Sequence, residues 1–305
     1  KRRFDRALLG SGDAFRHIVS LVPLLLHLNH PALPGYVEDA PAGIADFILS
    51  NYQQNFLSKE HPELVEYVQS AVNSDAVFTP ILGIYVMGSF GSISQTSASD
   101  LDIWICHQDD LSEQDQQRLA EKTKKITQWA STFHVEMHFY LMTQKRFRNE
   151  RYSDPLTKEN SGSAQYMLLL EEFYRSAVRL SGKPLLWLHL WVEDEKQYEA
   201  EVARLVAEGE LNPNDWVDFG GLGQFSASEY FGASLWQLYK GIDSPYKSVM
   251  KILLLETYAQ EYPNAHLIAR QFKEDLLSGR STAAHHFDPY IAILERISQY
   301  LTAHS

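Results

Sequence analysis

Gly88-Ser89-Phe90-Gly91-Ser92 is followed, after seven intervening residues, by Asp100-Leu101-Asp102-Ile103-Trp104. A glycine–serine turn offers backbone N–H groups and hydroxyls, which suit phosphate oxygens. Two aspartates two positions apart on a strand project from one face, with Cα atoms about 6–7 Å apart at ~3.3 Å rise per residue. Side by side they repel, and each raises the other's pKa unless cations neutralise them. Carboxylates for hard cations beside a phosphate cradle is the layout that Mg²⁺-dependent phosphoryl chemistry needs. Glu136 lies on the next predicted strand, away from that strand's apolar side. If the two strands are neighbours it joins the pair, and three such acids can hold two Mg²⁺ ions about 3.5–4 Å apart. Each piece alone has a plainer reading. Asp-x-Asp usually marks a solvated strand edge or loop, and Gly-Ser turns are commoner still. Their order, with a third acid on the following strand, singles this segment out.

The elements around these residues must be strands and turns. Ile81 to Met87 is an apolar run fit for a buried strand. Gly88 to Ser99 reads as a loop or short helix, Asp100 to Cys106 as a second strand, and Ser112 to Phe133 as a helix with a polar face. Val135 to Met142 is a third strand. Its alternation puts Glu136, His138 and Tyr140 on one face and Val135, Met137 and Phe139 on the other. Residues 145–160 read as an exposed loop.

Helix dominates on either side. The first thirty residues carry helical spacing at Phe15, Ile18, Val19, Val22, Leu25 and Leu26. His30 to Tyr36 breaks it with two prolines and a glycine. Asp46 to Val72 is helical again, interrupted near His61-Pro62. Beyond Ser161 helices are expected over 163–180, 194–208, 226–241, 246–261, 265–278 and 287–302, with a strand over Leu185 to Val192. The expected class is α+β: a mixed β-sheet core with flanking helices and a mainly helical carboxy-terminal part. Residues 1–74 form an amino-terminal helical segment, 75–195 the core, and 196–305 a helical region that completes the site.

Composition narrows the function classes. Of 305 residues, 27 are Lys or Arg and 39 Asp or Glu, a net charge of −12. That repels a phosphate backbone, so a nucleic-acid coating role is excluded. A single cysteine excludes a disulfide framework and a thiolate zinc site, and points to a reducing cytoplasm. The apolar stretch Ile18 to Leu28 is too short to span a bilayer and is interrupted by Ser20, Pro23 and His27. The chain starts at Lys1 and stops straight after a helical run, as a piece of a longer protein would.

The turn, the acid pair and the later acid resemble the nucleotidyltransferase superfamily that includes DNA polymerase β. The resemblance sharpens in longer stretches: Glu229-Tyr230-Phe231-Gly232-Ala233-Ser234-Leu235-Trp236-Gln237-Leu238-Tyr239-Lys240, Asn29 to Val37, Ser99 to Gln108, and Asp243 to Lys247. These resemble the bacterial class I adenylate cyclases of enterobacterial type, over nearly the whole chain. Members are longer and carry a second signature towards the carboxy terminus, which this chain lacks. The resemblance implies the amino-terminal catalytic part on a nucleotidyltransferase-like core.

It also implies the reaction: ATP becomes 3′,5′-cyclic AMP and pyrophosphate, the 3′-hydroxyl attacking the α-phosphorus of its own molecule. Asp100 and Asp102 would bind both Mg²⁺ ions, for which Mn²⁺ can substitute. Glu136 would hold the ion that activates the hydroxyl and take its proton. Gly88, Ser89 and Ser92 would contact the β- and γ-phosphates. Lys240 and Lys247, inside the matching stretches, are candidates for the triphosphate. Lys251, four residues on, is read as a solvated helix face. Regulation would come from sugar phosphotransferase components through a carboxy-terminal region. Two other readings stand beside this one: nucleotide transfer to an external acceptor, and a nucleotide-binding regulatory module without turnover.

Several features carry less weight. Lys145, Arg146, Arg148 and Arg151 belong to the predicted loop and either close over nucleotide or are solvated. His285-His286 has no partners at metal-ligand spacing. His138 reads as a plain strand histidine, with orientation of Glu136 as the alternative. Cys106 reads as core, as do Tyr230, Phe231, Trp236 and Tyr239 at helical spacing. Trp104 suits packing or a place beside adenine.

Overall fold

The computed structural model describes residues 2–72, 79–97, 99–149, 166–242, 244–280 and 287–304. The amino-terminal helical run is two helices, α1 (Arg2–Leu9) and α2 (Asp13–His27). Gly10-Ser11-Gly12 separates them, since glycine loses most conformational freedom in a helix interior. α2 is buried almost all round. The Asn29–Val37 stretch that follows is built for structure. Asn29 clasps Val37 through its Nδ2 on the carbonyl (2.7 Å) and its Oδ1 on the N–H (3.3 Å). Gly35 sits at φ +86°, where a Cβ would overlap Ile126. Next come α3 (Asn51–Glu60), opened by a Ser50/Gln53 capping box, and α4 (Val65–Val72).

Four strands form one mixed sheet. β1 (Ile81–Met87) is buried at all seven positions, β2 (Leu101–His107) runs antiparallel to it, and α5 (Glu113–Ser131) crosses over to β3 (Met137–Met142), parallel to β2. A parallel pair needs such a crossover. The short α6 (Gln144–Asn149) and α7 (Tyr166–Ser176) lead to β4 (Val178–Gly182), and the order across the sheet is β3-β2-β1-β4. The rest is helical: α8 (Tyr198–Ala207), α9 (Ala227–Lys240), α10 (Pro245–Gln260), α11 (Ile268–Leu277) and α12 (Pro289–His304). No described helix is long and apolar enough to cross a membrane.

Strand alternation gives the sheet two buried faces. Ile84, Val86, Ile103, Ile105 and Met137 pack against α2 and α5. Tyr85, Met87, Trp104, Cys106 and Met142 pack on the other side, with α7 and the carboxy-terminal helices. Glu171 ties that second layer together while fully buried. It pairs with Arg175 and accepts bonds from the Tyr258 hydroxyl (3.2 Å) and the Ala269 N–H (3.2 Å). Trp104 stacks on Phe173 at 4.2 Å and is buried, so it packs rather than meeting a base. Cys106 is a buried core thiol, and burial pushes its pKa up.

Four expectations are corrected. The strand expected over Leu185 to Val192 is a 3₁₀ turn, Leu186–Leu188, with Trp187 stacked on Tyr174 at 4.3 Å. The fourth strand lies earlier, at Val178–Gly182, within the tail of the helix expected over 163–180. Pairing with β1 takes those residues out of the helix, and local spacing does not report a distant partner. The loop expected from 145 begins with α6, anchored by buried Phe147. Phe231 and Tyr239, read as core, are exposed, because α9 buries only the side carrying Ala233, Trp236 and Gln237.

Lys122 on α5 is buried and donates to the Leu28 carbonyl (2.8 Å) and Asn29 Oδ1 (3.1 Å). Burial without a carboxylate pulls it down to about 7, from an ordinary 10.5. Between those values the unfolded chain holds the proton that the folded chain has lost, so this lysine's contribution to stability rises with pH. Compared with Lys122→Met, the wild type should gain about 2 kcal/mol in urea unfolding between pH 7 and pH 9. Parallel pH profiles for the two proteins would contradict this.

Candidate active site

The turn after β1 is held from behind by residues far away in sequence. Gly88 (φ +82°) and Gly91 (φ +66°) take backbone angles that favour glycine, and a Cβ on Gly91 would overlap the Arg3 backbone. Arg3 donates to the Phe90 carbonyl (2.5 Å) and Arg6 to that of Gly91 (2.5 Å). Asp288, buried at the start of α12, accepts from the Ile93 N–H (2.8 Å) and from Arg6 (2.9 Å).

Most N–H groups of the turn are engaged internally. Gly88 donates to Ser176 Oγ (3.1 Å), Gly91 to Gln95 Oε1 (2.6 Å) and Ser92 to the Ser89 carbonyl (3.0 Å). The Ser92 hydroxyl also donates to that carbonyl (2.6 Å), so Ser92 shapes the turn. Among the described residues, the N–H groups left without a partner in the Gly88–Ser92 stretch are those of Ser89 and Phe90.

The acids stand at the adjacent ends of β2 and β3. The register pairs Leu101 with Met137 and Asp102 with His138, and the Leu101 N–H donates to the Glu136 carbonyl (3.0 Å). This sets Asp100 level with Glu136, and strand alternation gives the acids and His138 a common face. Asp102 Oδ1 accepts from the Tyr140 hydroxyl at 3.3 Å. Burial, and then the neighbouring Asp100, push Asp102 up to about 6, while His138, Tyr140 and Lys251 pull the other way. Asp100 and Glu136 are exposed, and the Glu136 carboxylate lies 3.2 Å from His138 Nε2. The strand histidine thus touches the third acid. Among the described residues, no group of three or more His, Cys, Asp and Glu side chains is gathered closely enough to hold a metal ion. The chemistry of the donor set nonetheless fits Mg²⁺: hard carboxylate oxygens, two of them on one strand.

The three lysines have different surroundings. Lys240 lies over the Trp236 ring at 5.3 Å. Lys247, half-buried on α10, makes no ion pair with a described residue. Lys251 is the lysine whose charge reaches Asp102. It pairs with half-buried Glu172 at 2.7 Å, beside the buried Glu171–Arg175 pair. Its sequence signal was the four-residue spacing from Lys247 on one helix face. Glu172 and Ser176 gave none, whereas strand alternation had placed Tyr140 on the face of Glu136. Arg148 is held by Asp218 (3.1 Å) and Glu199, while Lys145 and Arg146 are exposed. Arg151, Asp243 and the His285-His286 pair lie outside the described residues.

Residues 1–188 match the family model described as the adenylate cyclase NT domain, and residues 225–305 match that of the adenylate cyclase, class-I, second domain. The chain is 69% identical over 310 residues to an adenylate cyclase of Haemophilus influenzae, covering 99% of this chain and 36% of that protein. It is 46% identical over 302 residues to an adenylate cyclase of Escherichia coli, covering 99% and 35%. It therefore spans about a third of the length of the relatives it matches. A solved spectinomycin adenyltransferase from Enterococcus faecialis aligns over 83% of this chain and 90% of its own, at 14% identity and a TM-score of 0.35. That likeness is too slight to carry weight. The two family matches are decisive: the chain belongs to the class I adenylate cyclase family.

Proposed function

We propose that the protein is an adenylate cyclase that converts ATP to 3′,5′-cyclic AMP and pyrophosphate. The observation that carries this is the placement of Asp100, Asp102 and Glu136 on adjacent strand ends beside the glycine–serine turn, in a chain of this family. The new bond joins the ribose 3′-oxygen to the α-phosphorus, and the bond from that phosphorus to the β-phosphate bridging oxygen breaks. Asp100, Asp102 and Glu136 would hold Mg²⁺, two ions in this reading, with Mn²⁺ as a substitute. Bound there, Mg²⁺ supplies charge neutralisation for the triphosphate and acidifies the 3′-hydroxyl.

The chain's own residues do the positioning. The unpartnered Ser89 and Phe90 N–H groups donate to β- and γ-phosphate oxygens, on a turn that Gly88 and Ser92 shape. Lys251, with Lys247 on the same helix face, offsets phosphate charge, and Lys240 sits further out over Trp236. Glu136, with His138 beside it, accepts the hydroxyl proton. Positioning and charge neutralisation are the main needs of phosphoryl transfer. In this reading residues 1–74 back the core, 75–195 carry the acids and 196–305 close the site. A cytoplasmic setting and regulation by sugar phosphotransferase components belong to the same reading.

Incubation with ATP and Mg²⁺, without any acceptor, should yield cyclic AMP and pyrophosphate in equal amounts. Nucleotide attached to an added hydroxyl compound would favour transfer to an external acceptor. Tight ATP binding without product would favour a regulatory module. Either result would overturn the proposal.

A further inference from the structure

A cavity of about 610 Å³ opens between α1, the junction of α7 with β4, and α11. Five arginines line it: Arg2, Arg3 and Arg6 from α1, Arg175 from α7 and Arg179 from β4. Among the described residues, no carboxylate does. In a chain of net charge −12 this is a local reversal of sign. Two of the five are neutralised, Arg6 by Asp288 and Arg175 by Glu171. Among the described residues, Arg2, Arg3 and Arg179 have no carboxylate within ion-pair distance; the Arg179 guanidinium donates to the Gly182 carbonyl instead.

Arg3 is the telling member. Its terminal nitrogens donate to the Ser176 and Phe90 carbonyls (2.6 and 2.5 Å), and its Nε is buried with no partner. Burial pulls this guanidinium down to about 10. Asp288, outside ion-pair distance, offsets part of that cost, and an anion in the cavity would offset more of it. The remaining wall is apolar, with Phe272, Leu276 and Phe287 prominent. The volume matches that of pockets for small organic molecules. A cationic wall beside an apolar one fits a ligand with one charged end and an apolar body.

We propose that this cavity binds an organic anion, a phosphate or carboxylate carried on an apolar ring or chain, at a site separate from the one for nucleotide. Calorimetric titration at fixed ionic strength with phenyl phosphate, benzoate, inorganic phosphate and phenol tests it. Phenyl phosphate or benzoate should bind one to one and at least ten-fold more tightly than inorganic phosphate, and the tighter of the two names the charged group. Phenol should not bind. The double variant Arg2→Met/Arg179→Met should lose ten-fold or more in affinity. Leu276→Trp, which fills the cavity without removing charge, should abolish binding. All three positions are exposed, so these variants leave the core intact. Asp102→Asn should bind the anion unchanged, and ATP with Mg²⁺ should not compete. The proposal is overturned by an absence of saturable binding, by equal affinity for inorganic phosphate, or by binding that survives in both cavity variants.

Discussion

Asp102→Asn should reduce cyclic AMP formation about 10³-fold and, in divalent-free buffer at pH 8, make the protein more stable. The first effect follows from the role proposed for the carboxylate. Losing a ligand to a charge-neutralising cation removes several kcal/mol from the transition state, and each 1.36 kcal/mol is tenfold in rate. The second follows from burial. Asp102 is raised to about 6, against an ordinary 3.8, first by burial and then by Asp100. Between those two values the folded protein holds a proton that the unfolded chain has released. Its stability therefore falls as pH rises through this window, and above about pH 6 the full penalty applies. Asn carries no charge and escapes it, so the variant should gain about 1–3 kcal/mol at pH 8 and close to nothing at pH 4. Urea unfolding at the two pH values, beside a cyclic AMP assay, checks both halves. A variant that is inactive but no more stable at pH 8 would show that Asp102 is not a strained, cation-seeking carboxylate.

Lys251→Met should lower kcat/KM for ATP about 10²-fold and destabilise the protein by about 2 kcal/mol, because it leaves half-buried Glu172 with Arg175, 3.9 Å away, as its remaining cationic partner among the described residues. The two effects separate in the double variant Lys251→Met/Glu172→Gln. Gln restores neutrality to the site, so stability should return towards wild type. Activity should stay low, since the positive charge near Asp102 is still missing. If activity recovers together with stability, Lys251 is scaffolding and the phosphate lysine lies elsewhere, with Lys247, which has no ion pair among the described residues, the next candidate.

Several parts of this arrangement were legible in the residues alone. Seven consecutive apolar residues marked β1 at its true limits, because a strand buried on both faces needs no alternation. The alternation of β3 put Glu136, His138 and Tyr140 on one face, and the register carries them beside Asp100 and Asp102. Aspartates two apart on a strand must share a face whatever the fold. The breaks at Pro31, Pro34 and Gly35 are equally local.

Other parts depended on partners that local pattern cannot report. β4 hid behind a helical run, since its strand character comes from pairing with β1. Arg3 and Arg6 gave no signal, yet they hold the carbonyls of a turn 85 or more residues away. Asp288 grips the same turn from the far end of the chain. Lys251 looked like a solvated face and became the lysine that reaches Asp102, because α10 packs against α7, where Glu172 waits to pair with it. The sequence by itself therefore determined which chemistry this protein can hold, through residue types and periods fixed by backbone geometry. Tertiary structure decided which N–H groups of the turn stay unpartnered, which carboxylate is raised and which lysine answers it. Those properties arise from burial and from contacts across long stretches of chain.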